Sequence, residues 1–174
     1  MGPAGLAACR IAARGELMSV ALRVNGVDRM IDAADDATLL DILRNHCGLK
    51  GTRFGCGENQ CGACHVLIDG RSVAACDTPL WSVAGKSVVT VEGLGTEAKP
   101  HPLQRALLEF QAGQCGYCLS GILVSAAAFL RDTPDPDDAA VRAALDRHLC
   151  RCGAHNRIVR AVLAAAREMR EAGS

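Results

Sequence analysis

The cysteines constrain this chain more than any other feature of its sequence. Ten are present, and eight of them fall into two quartets on either side of residue 100. The first quartet is Cys56, Cys61, Cys64 and Cys76, and the second is Cys115, Cys118, Cys150 and Cys152. The first 17 residues contain no long apolar segment that would predict export. Clustered cysteines in a chain without an export signal bind metals or carry redox chemistry more often than they form disulfides, so we expect a cytoplasmic metal-binding protein.

Charge and motifs exclude several classes of function. Acidic and basic residues are equal in number at 19 each, and no basic stripe predicts nucleic-acid binding. No apolar run is long enough to predict a membrane span. The sequence has no Gly-x-Ser-x-Gly, phosphate-loop or dinucleotide-binding motif. We therefore predict no catalytic residues and no flavin site in this chain.

The hydrophobic pattern changes near residue 94 and predicts two domains. Residues 19–93 have the pattern of short strands, with hairpin turns predicted at Asn25-Gly26 and Asp69-Gly70. The predicted strands span 19–24, 28–33, 65–68, 71–75 and 87–91. Thr38 is predicted to cap a short helix. This order predicts one helix packed on a small mixed sheet.

Residues 102–172 show helical periodicity and predict a four-helix bundle. Four apolar stripes carry the prediction: Leu103, Leu107 and Phe110; Leu119, Ile122, Leu123, Ala126 and Leu130; Val141, Ala144, Leu145 and Leu149; Ile158, Val162, Leu163 and Met169. Residues 94–101 are the predicted linker, and residues 1–18 are predicted to be a disordered extension. The predicted fold class is therefore α+β, with an all-α second domain.

The first quartet has the spacing Cys-x4-Cys-x2-Cys followed by a distant fourth cysteine, which is the arrangement of plant-type [2Fe–2S] loops. A cluster bound to four thiolates is negatively charged, so the loop around it turns backbone N–H groups toward the sulfurs. Glycines permit the backbone conformations this requires, and the loop contains Gly51, Gly55, Gly57 and Gly62. A zinc site or disulfides are the alternatives, although zinc favours paired Cys-x2-Cys motifs.

The second quartet is less specific than the first. Cys115-Gly-Tyr-Cys118 is predicted to lie at the start of one helix, and Cys150-Arg-Cys152 at the end of the next. The two pairs converge only if these helices pack together. Their spacing alone leaves open a [2Fe–2S] cluster, a zinc site and a redox-active dithiol. A neighbouring first cluster favours the cluster, because two carriers form a relay.

Taken together, these motifs resemble the iron–sulfur subunit of the molybdenum hydroxylases, the family of xanthine oxidase and aldehyde oxidoreductase. The resemblance rests on the segments 51–64, Gln114-Cys-Gly-Tyr-Cys118 and Leu149-Cys-Arg-Cys-Gly153. It implies a β-grasp, ferredoxin-like [2Fe–2S] domain over residues 19–93 and a helical [2Fe–2S] domain over residues 102–172. It also implies that all eight cysteines of the two quartets are cluster ligands.

The resemblance further implies a partner and a direction of electron flow. In the family, a molybdenum–pterin cofactor in a large partner subunit oxidises the substrate. Electrons then pass one at a time through the helical-domain cluster and the ferredoxin-like cluster to an acceptor, such as a flavin subunit or a cytochrome. The family residues that match Gln114 and Cys152 lie against the pterin, so we expect these two residues to contact the partner's cofactor.

A few positions depart from the commonest family pattern and bear on the substrate. Many relatives have Gly-Thr-Tyr after the last ligand, whereas this chain has Gly153-Ala-His155, which resembles the branch that oxidises nicotinate and related N-heterocycles. We therefore expect an N-heteroaromatic substrate. The alternatives are a small subunit of an aldehyde or carbon monoxide dehydrogenase, and a zinc-stabilised interaction module.

The remaining cysteines and the histidines are expected to have structural roles. Cys47 is expected to be a core thiol of the predicted helix, and Cys9 lies in the leading extension. His65 is predicted to be a strand residue, since a Rieske site needs two histidines in place of two cysteines. His155 is expected to start a helix or to contact the partner. Surface or helix-end positions are expected for the other three, His46, His101 and His148.

Overall fold

The structure is a computed structural model that describes residues 17–173. Residues 1–16 of the predicted extension, including Cys9, lie outside the described residues. Leu17 and Met18 belong to the first strand, which therefore begins two residues earlier than predicted. Within residues 17–173, no helix is long and apolar enough to cross a membrane.

The described residues form five strands and five α-helices. The strands are β1 (Leu17–Val24), β2 (Val27–Ala34), β3 (His65–Ile68), β4 (Arg71–Ala74) and β5 (Ser87–Val89). The helices are α1 (Leu39–Asp41), α2 (Pro102–Glu109), α3 (Leu119–Asp132), α4 (Asp138–Leu145) and α5 (His155–Gly173). Short 3-10 turns lie at Ala75–Asp77, Leu80–Val83 and Val91–Gly93.

The strands form one mixed sheet in the order β2-β1-β5-β3-β4. The β1–β2 hairpin turns where predicted, and both Asn25 and Gly26 adopt a positive φ there. The last strand, β5, lies between the two hairpins, parallel to β1 and antiparallel to β3. Buried and exposed residues alternate along β1, and Val20, Leu22 and Val24 face the first hydrophobic core. The predicted mixed sheet is confirmed.

The helix that covers this sheet begins as predicted. The Thr38 hydroxyl accepts a hydrogen bond from the backbone N–H of Asp41 at 3.2 Å and caps α1. The helix continues as a π-helical turn over Ile42–His46, which the N–H of Cys47 closes onto the carbonyl of Ile42. The buried side of this segment packs on the sheet, and the chain then enters the cysteine-rich loop of residues 51–64.

Helices α2 to α5 confirm the predicted all-α half and enclose a second hydrophobic core. Leu103, Ile122 and Ile158 are among its largest fully buried side chains. The sequence pattern places Leu149 in an apolar stripe of the third helix, but this is wrong, since α4 ends at Leu145 and Leu149 is 64% exposed. Its N–H donates to the carbonyl of Cys61 instead of to a helical partner.

Three cysteines lie in less regular segments than the sequence predicts. Cys76 lies in the 3-10 turn Ala75–Asp77 and not on the strand, because β4 ends at Ala74. Cys150 and Cys152 lie in the loop between α4 and α5 and not at the end of a helix. The cysteines of both quartets thus lie in loops, in a turn or at the first turn of α3.

A histidine cap at the start of α2 makes the stability of the helical half dependent on pH. The Nδ1 of His101 accepts a hydrogen bond from the N–H of Leu103 at 3.2 Å, and the Gln104 side chain accepts the N–H of His101 at 2.8 Å. Burial lowers the pKa of His101, and the nearby Arg105 guanidinium lowers it further. Only the neutral ring can accept at Nδ1, so the cap needs an unprotonated His101.

We predict that His101→Ala lowers the free energy of unfolding by about 1 kcal/mol at a pH well above 6.5. Because the folded pKa is lowered, the contribution of the cap is present above the unfolded pKa of about 6.5 and is lost as the pH falls through the folded pKa. Denaturant unfolding of the cluster-loaded chain between mildly acidic and alkaline pH measures this. His101→Asn keeps a pH-independent cap and is the control; a cost of His101→Ala that does not change with pH contradicts the assignment.

Candidate metal centres

The loop of residues 51–64 turns its backbone N–H groups toward the sulfurs of the first quartet. The N–H groups of Glu58 and Gln60 lie 3.4 and 3.2 Å from Cys56 Sγ, and the N–H of Cys56 lies 3.4 Å from Cys61 Sγ. Gly57, with φ +78°, provides the left-handed turn between them. The N–H groups of Glu58 and Gln60 lower the pKa of Cys56 to about 7. The loop therefore stabilises negative charge at sulfur.

The other two thiols of the first quartet are buried beside each other. Cys64 ends the loop, and its carbonyl accepts the N–H of Ala75 at 3.2 Å, which brings Cys76 alongside. Burial raises the pKa of Cys64 to about 12, while Cys76 contacts it through both its backbone N–H and its side chain. A thiol with such a pKa is deprotonated near neutral pH only when a cation binds it, so this pair is suited to a metal.

The second quartet repeats this division into an outer and a buried pair. Cys115 and Cys152 lie at the surface side, with their Sγ atoms 3.5 Å apart. The N–H of Tyr117 lowers the pKa of Cys115. Cys118 is buried at the start of α3 and contacts the side chain of Cys150, and burial raises its pKa to about 12.

The arrangement in pairs distinguishes between the kinds of metal site. Within residues 17–173, no three His, Cys, Asp or Glu side chains are grouped so that they could hold a metal ion. A structural zinc site needs its four ligands around one ion. A [2Fe–2S] cluster has two irons and four cysteines, so two thiols per iron suffice. The grouping of the thiols two by two fits this donor set in both quartets.

Backbone contacts hold the two quartets next to each other. The N–H of Leu149, beside Cys150, donates to the carbonyl of Cys61 at 3.1 Å. The Tyr117 hydroxyl, between Cys115 and Cys118, donates to the carbonyl of Phe54 at 2.5 Å. Each bond joins the neighbourhood of one quartet to the loop of the other.

Glycines allow helix α3 to approach the first loop closely. A Cβ at Gly121 would lie 2.0 Å from the carbonyl oxygen of Gly62. A Cβ at Gly62 would lie 2.3 Å from Nδ1 of His148. The loop and the helical half therefore meet through backbone, and any side chain at either glycine would separate them.

Two buried histidines lie at this junction. His65 begins β3, and its Nδ1 lies 2.8 Å from the hydroxyl of Ser72 and 3.1 Å from that of Ser125 on α3. The ring of His148 packs edge to face on His65 with their centroids 4.9 Å apart. Burial lowers the pKa of both rings, that of His148 to about 4, so both are uncharged near neutral pH.

The burial of His148 corrects the surface position expected from the sequence, since this residue is only 2% exposed. No local pattern could have identified it, because the residues that bury it come from β3 and from the first loop. Gly121 was equally missed, although a glycine inside a helical pattern is a sign of close packing. His65 is confirmed as a strand residue. Cys47 is half-buried against the first core, and burial raises its pKa.

Gln114 lies beside the second quartet at the edge of a cavity. Its Nε2 donates to the carbonyl of Cys152 at 3.2 Å. The cavity has a volume of about 350 Å³ and lies between the first two helices of the bundle. Its lining is Gln104, Leu107, Leu108, Gln111, Gly113, Gln114, Gly116, Leu119 and Leu123. The structure thus brings Gln114 and Cys152 together; their contact with a partner's cofactor stays a prediction.

Two family models match the chain, one for each quartet. The model described as "2Fe-2S iron-sulfur cluster binding domain" matches residues 22–87, and the one described as "[2Fe-2S] binding domain" matches residues 90–163. The chain thus has two domains of [2Fe–2S]-binding families.

Relatives of known function match over nearly their whole length. The small iron–sulfur chain of nicotinate dehydrogenase from Pseudomonas putida is 46% identical over 153 residues, which cover 88% of this chain and 98% of the relative. The alpha chain of isoquinoline 1-oxidoreductase from Brevundimonas diminuta is 49% identical over 140 residues, which cover 80% and 91%. Among solved structures, quinoline 2-oxidoreductase from Pseudomonas putida 86 superposes with a TM-score of 0.85 at 36% identity, covering 89% of this chain and 97% of that one.

We predict that Gly121→Ala destabilises the protein, although Gly→Ala within a helix normally stabilises by roughly 0.5–1 kcal/mol. The added methyl group would overlap the carbonyl oxygen of Gly62, which belongs to the backbone and cannot rotate away. We expect a loss of about 1–3 kcal/mol in the free energy of unfolding, measured by denaturant titration. Gly173→Ala at the end of α5, where a Cβ meets nothing within 4 Å, is the matched control. Equal behaviour of the two variants would contradict the close approach.

Proposed function

Because this chain belongs to the iron–sulfur subunits of the molybdenum hydroxylase family, we propose that it conducts electrons one at a time from a molybdopterin-containing partner subunit to an external acceptor. A [2Fe–2S] cluster, when bound, supplies one-electron oxidation and reduction. The chain itself holds the carriers and sets their spacing, while the partner performs the substrate chemistry.

The eight cysteines are the proposed ligands. The observation that carries the proposal is the pairing of the thiols within each quartet: Cys56 with Cys61, Cys64 with Cys76, Cys115 with Cys152, and Cys118 with Cys150. Each quartet has a buried side, where bound metal keeps the thiolates charged, and an outer side, where backbone N–H groups do so. The bond from Leu149 to the carbonyl of Cys61 supports transfer between the two sites, since it joins a ligand of one to the neighbour of a ligand of the other.

The proposed partner is a large molybdopterin-binding subunit that docks where Gln114 and Cys152 meet. This face carries the apolar cavity and the outer thiol pair of the second quartet, so a cofactor docked there would lie next to one carrier. The proposed acceptor, a flavin subunit or a cytochrome, would then take electrons from the first quartet. The direction of flow follows from this order.

The proposed substrate is an N-heteroaromatic compound such as nicotinate. The relatives named for nicotinate and isoquinoline are 46% and 49% identical to this chain. An aldehyde oxidoreductase iron–sulfur subunit of Escherichia coli is 37% identical over 170 residues. An aldehyde is therefore the second candidate, and one assay compares the two.

Purification of the chain with its native partners tests the proposal. We expect about four irons per chain and molybdenum in a co-purifying large subunit. The complex should reduce an artificial dye with nicotinate or a related N-heterocycle, and not with an aldehyde. Zinc in place of iron would refute the electron-transfer function, whereas turnover of aldehydes alone would refute only the substrate.

We predict that Cys61→Ser and Cys115→Ser each abolish or strongly disturb one cluster and leave the other. The two quartets use separate loops, so the loss of one ligand should stay local. Electron paramagnetic resonance of the reduced protein resolves the two signals, and each variant should lose a different one. Cys47→Ser, which alters a thiol outside both quartets, should keep both signals. The loss of both signals in either ligand variant would contradict independent sites.

A further inference from the structure

The entry to the first cysteine loop is held by a cation and an anion that contact its backbone from different elements. The guanidinium of Arg44 donates through Nη1 to the carbonyl of Lys50 at 3.0 Å and to that of Thr52 at 2.7 Å. The carboxylate of Glu92 accepts the N–H of Gly51, between them, at 2.7 Å. Three successive residues are thus fixed by charge-assisted hydrogen bonds, which are stronger than neutral ones.

Arg44 acts from a rigid base. It lies in the π-helical turn Ile42–His46, where Ile42 and Leu43 are fully buried. The turn is closed by the N–H of Cys47 on the carbonyl of Ile42, and the N–H of Leu49 then donates to the carbonyl of Leu43 at 2.8 Å. The guanidinium is therefore presented by a segment that is itself fixed in the first core.

Glu92 is supported in the same way on the other side. Its second carboxylate oxygen accepts the hydroxyl of Thr90 at 2.5 Å. Thr90 is fully buried and exchanges hydrogen bonds with Asn25, whose Oδ1 accepts the Thr90 N–H at 2.9 Å and whose Nδ2 donates to the Thr90 hydroxyl at 3.0 Å. This network connects Glu92 to the β1–β2 turn.

The contact at Gly51 is close enough to exclude any side chain. A Cβ there would lie 2.5 Å from Val91 and 2.7 Å from the Glu92 carboxylate. Val91 also packs against the second core, in the helical half. The loop entry is therefore joined both to the sheet and to the segment that leads into the helices.

We propose that Arg44 and Glu92 are positioning residues for the first cluster: they fix residues 50–52 so that Cys56 and Cys61 keep the spacing that one iron requires. Neither is a ligand. The inference rests on the proposed function, because it assumes that this loop holds a cluster. Beyond its entry, the loop contacts itself weakly, as in the 3.4 Å bond from the N–H of Arg53 to the carbonyl of Ala63, so its shape depends on its anchors.

The test compares Glu92→Ala and Glu92→Gln in the full, cluster-loaded chain. Glu97→Ala, an exposed acidic residue a few positions along the same connection, is the matched control. The rate of iron release to a chelator is followed while electron paramagnetic resonance identifies which cluster is lost. We expect Glu92→Ala to lose the first cluster about tenfold faster, the factor that corresponds to one charge-assisted hydrogen bond. Glu92→Gln should recover most of this, since its amide oxygen can accept the Gly51 N–H.

Arg44 is tested with Arg44→Lys and Arg44→Gln. A single ammonium cannot span both carbonyls as the guanidinium does, so we expect Lys to protect the first cluster only partly. In all variants the second cluster should be released at the parent rate, which a general loss of folding would not allow. Equal acceleration of both clusters, or release at the parent rate in Glu92→Ala and Arg44→Gln, would overturn the inference. A parent protein that takes up no first cluster would overturn the proposed function itself.

Discussion

The close contact between the first cysteine loop and helix α3 is the constraint on which the rest of the structure depends. The carbonyl of Gly62 meets Gly121 where no side chain fits, and the N–H of Leu149 binds the carbonyl of Cys61 from the other side. These contacts join a small sheet domain to a helical bundle at the two places where thiols gather. A wider interface built from large side chains would bury more apolar area, but it would move the two quartets apart.

Sequence reasoning predicted what depends on local signals. The turns at Asn25-Gly26 and Asp69-Gly70, the Thr38 cap and the helical periodicity each act within a few residues, and the structure confirms them. The spacing of the cysteines predicted the two quartets because each loop carries most of its own ligands. Where distant segments meet, prediction failed: Leu149 is exposed and His148 is buried because the chain after α4 turns to contact residues 61–62. The roles of Arg44 and Glu92 are invisible for the same reason, since their partners are backbone groups.

The thiols of each quartet are distributed unevenly between solvent and core, and this has an electrostatic cause. Backbone N–H groups lower the pKa of Cys56 and Cys115 on the outer side, whereas burial raises that of Cys64 and Cys118 to about 12. Metal binding at the buried side must therefore release protons, while the outer side is already near its charged form. Such a site gains most of its order only when it is loaded.

The paired rings of His65 and His148 have a consequence for charge movement through the molecule. Both are buried and uncharged near neutral pH, and the His65 ring is fixed by two serine hydroxyls. A junction of this kind has few dipoles that are free to turn when a neighbouring charge changes. The reorganisation energy for an electron that crosses it is correspondingly small, because the surroundings are already arranged for either charge state. The interface would thus combine mechanical attachment with a low intrinsic barrier to tunnelling.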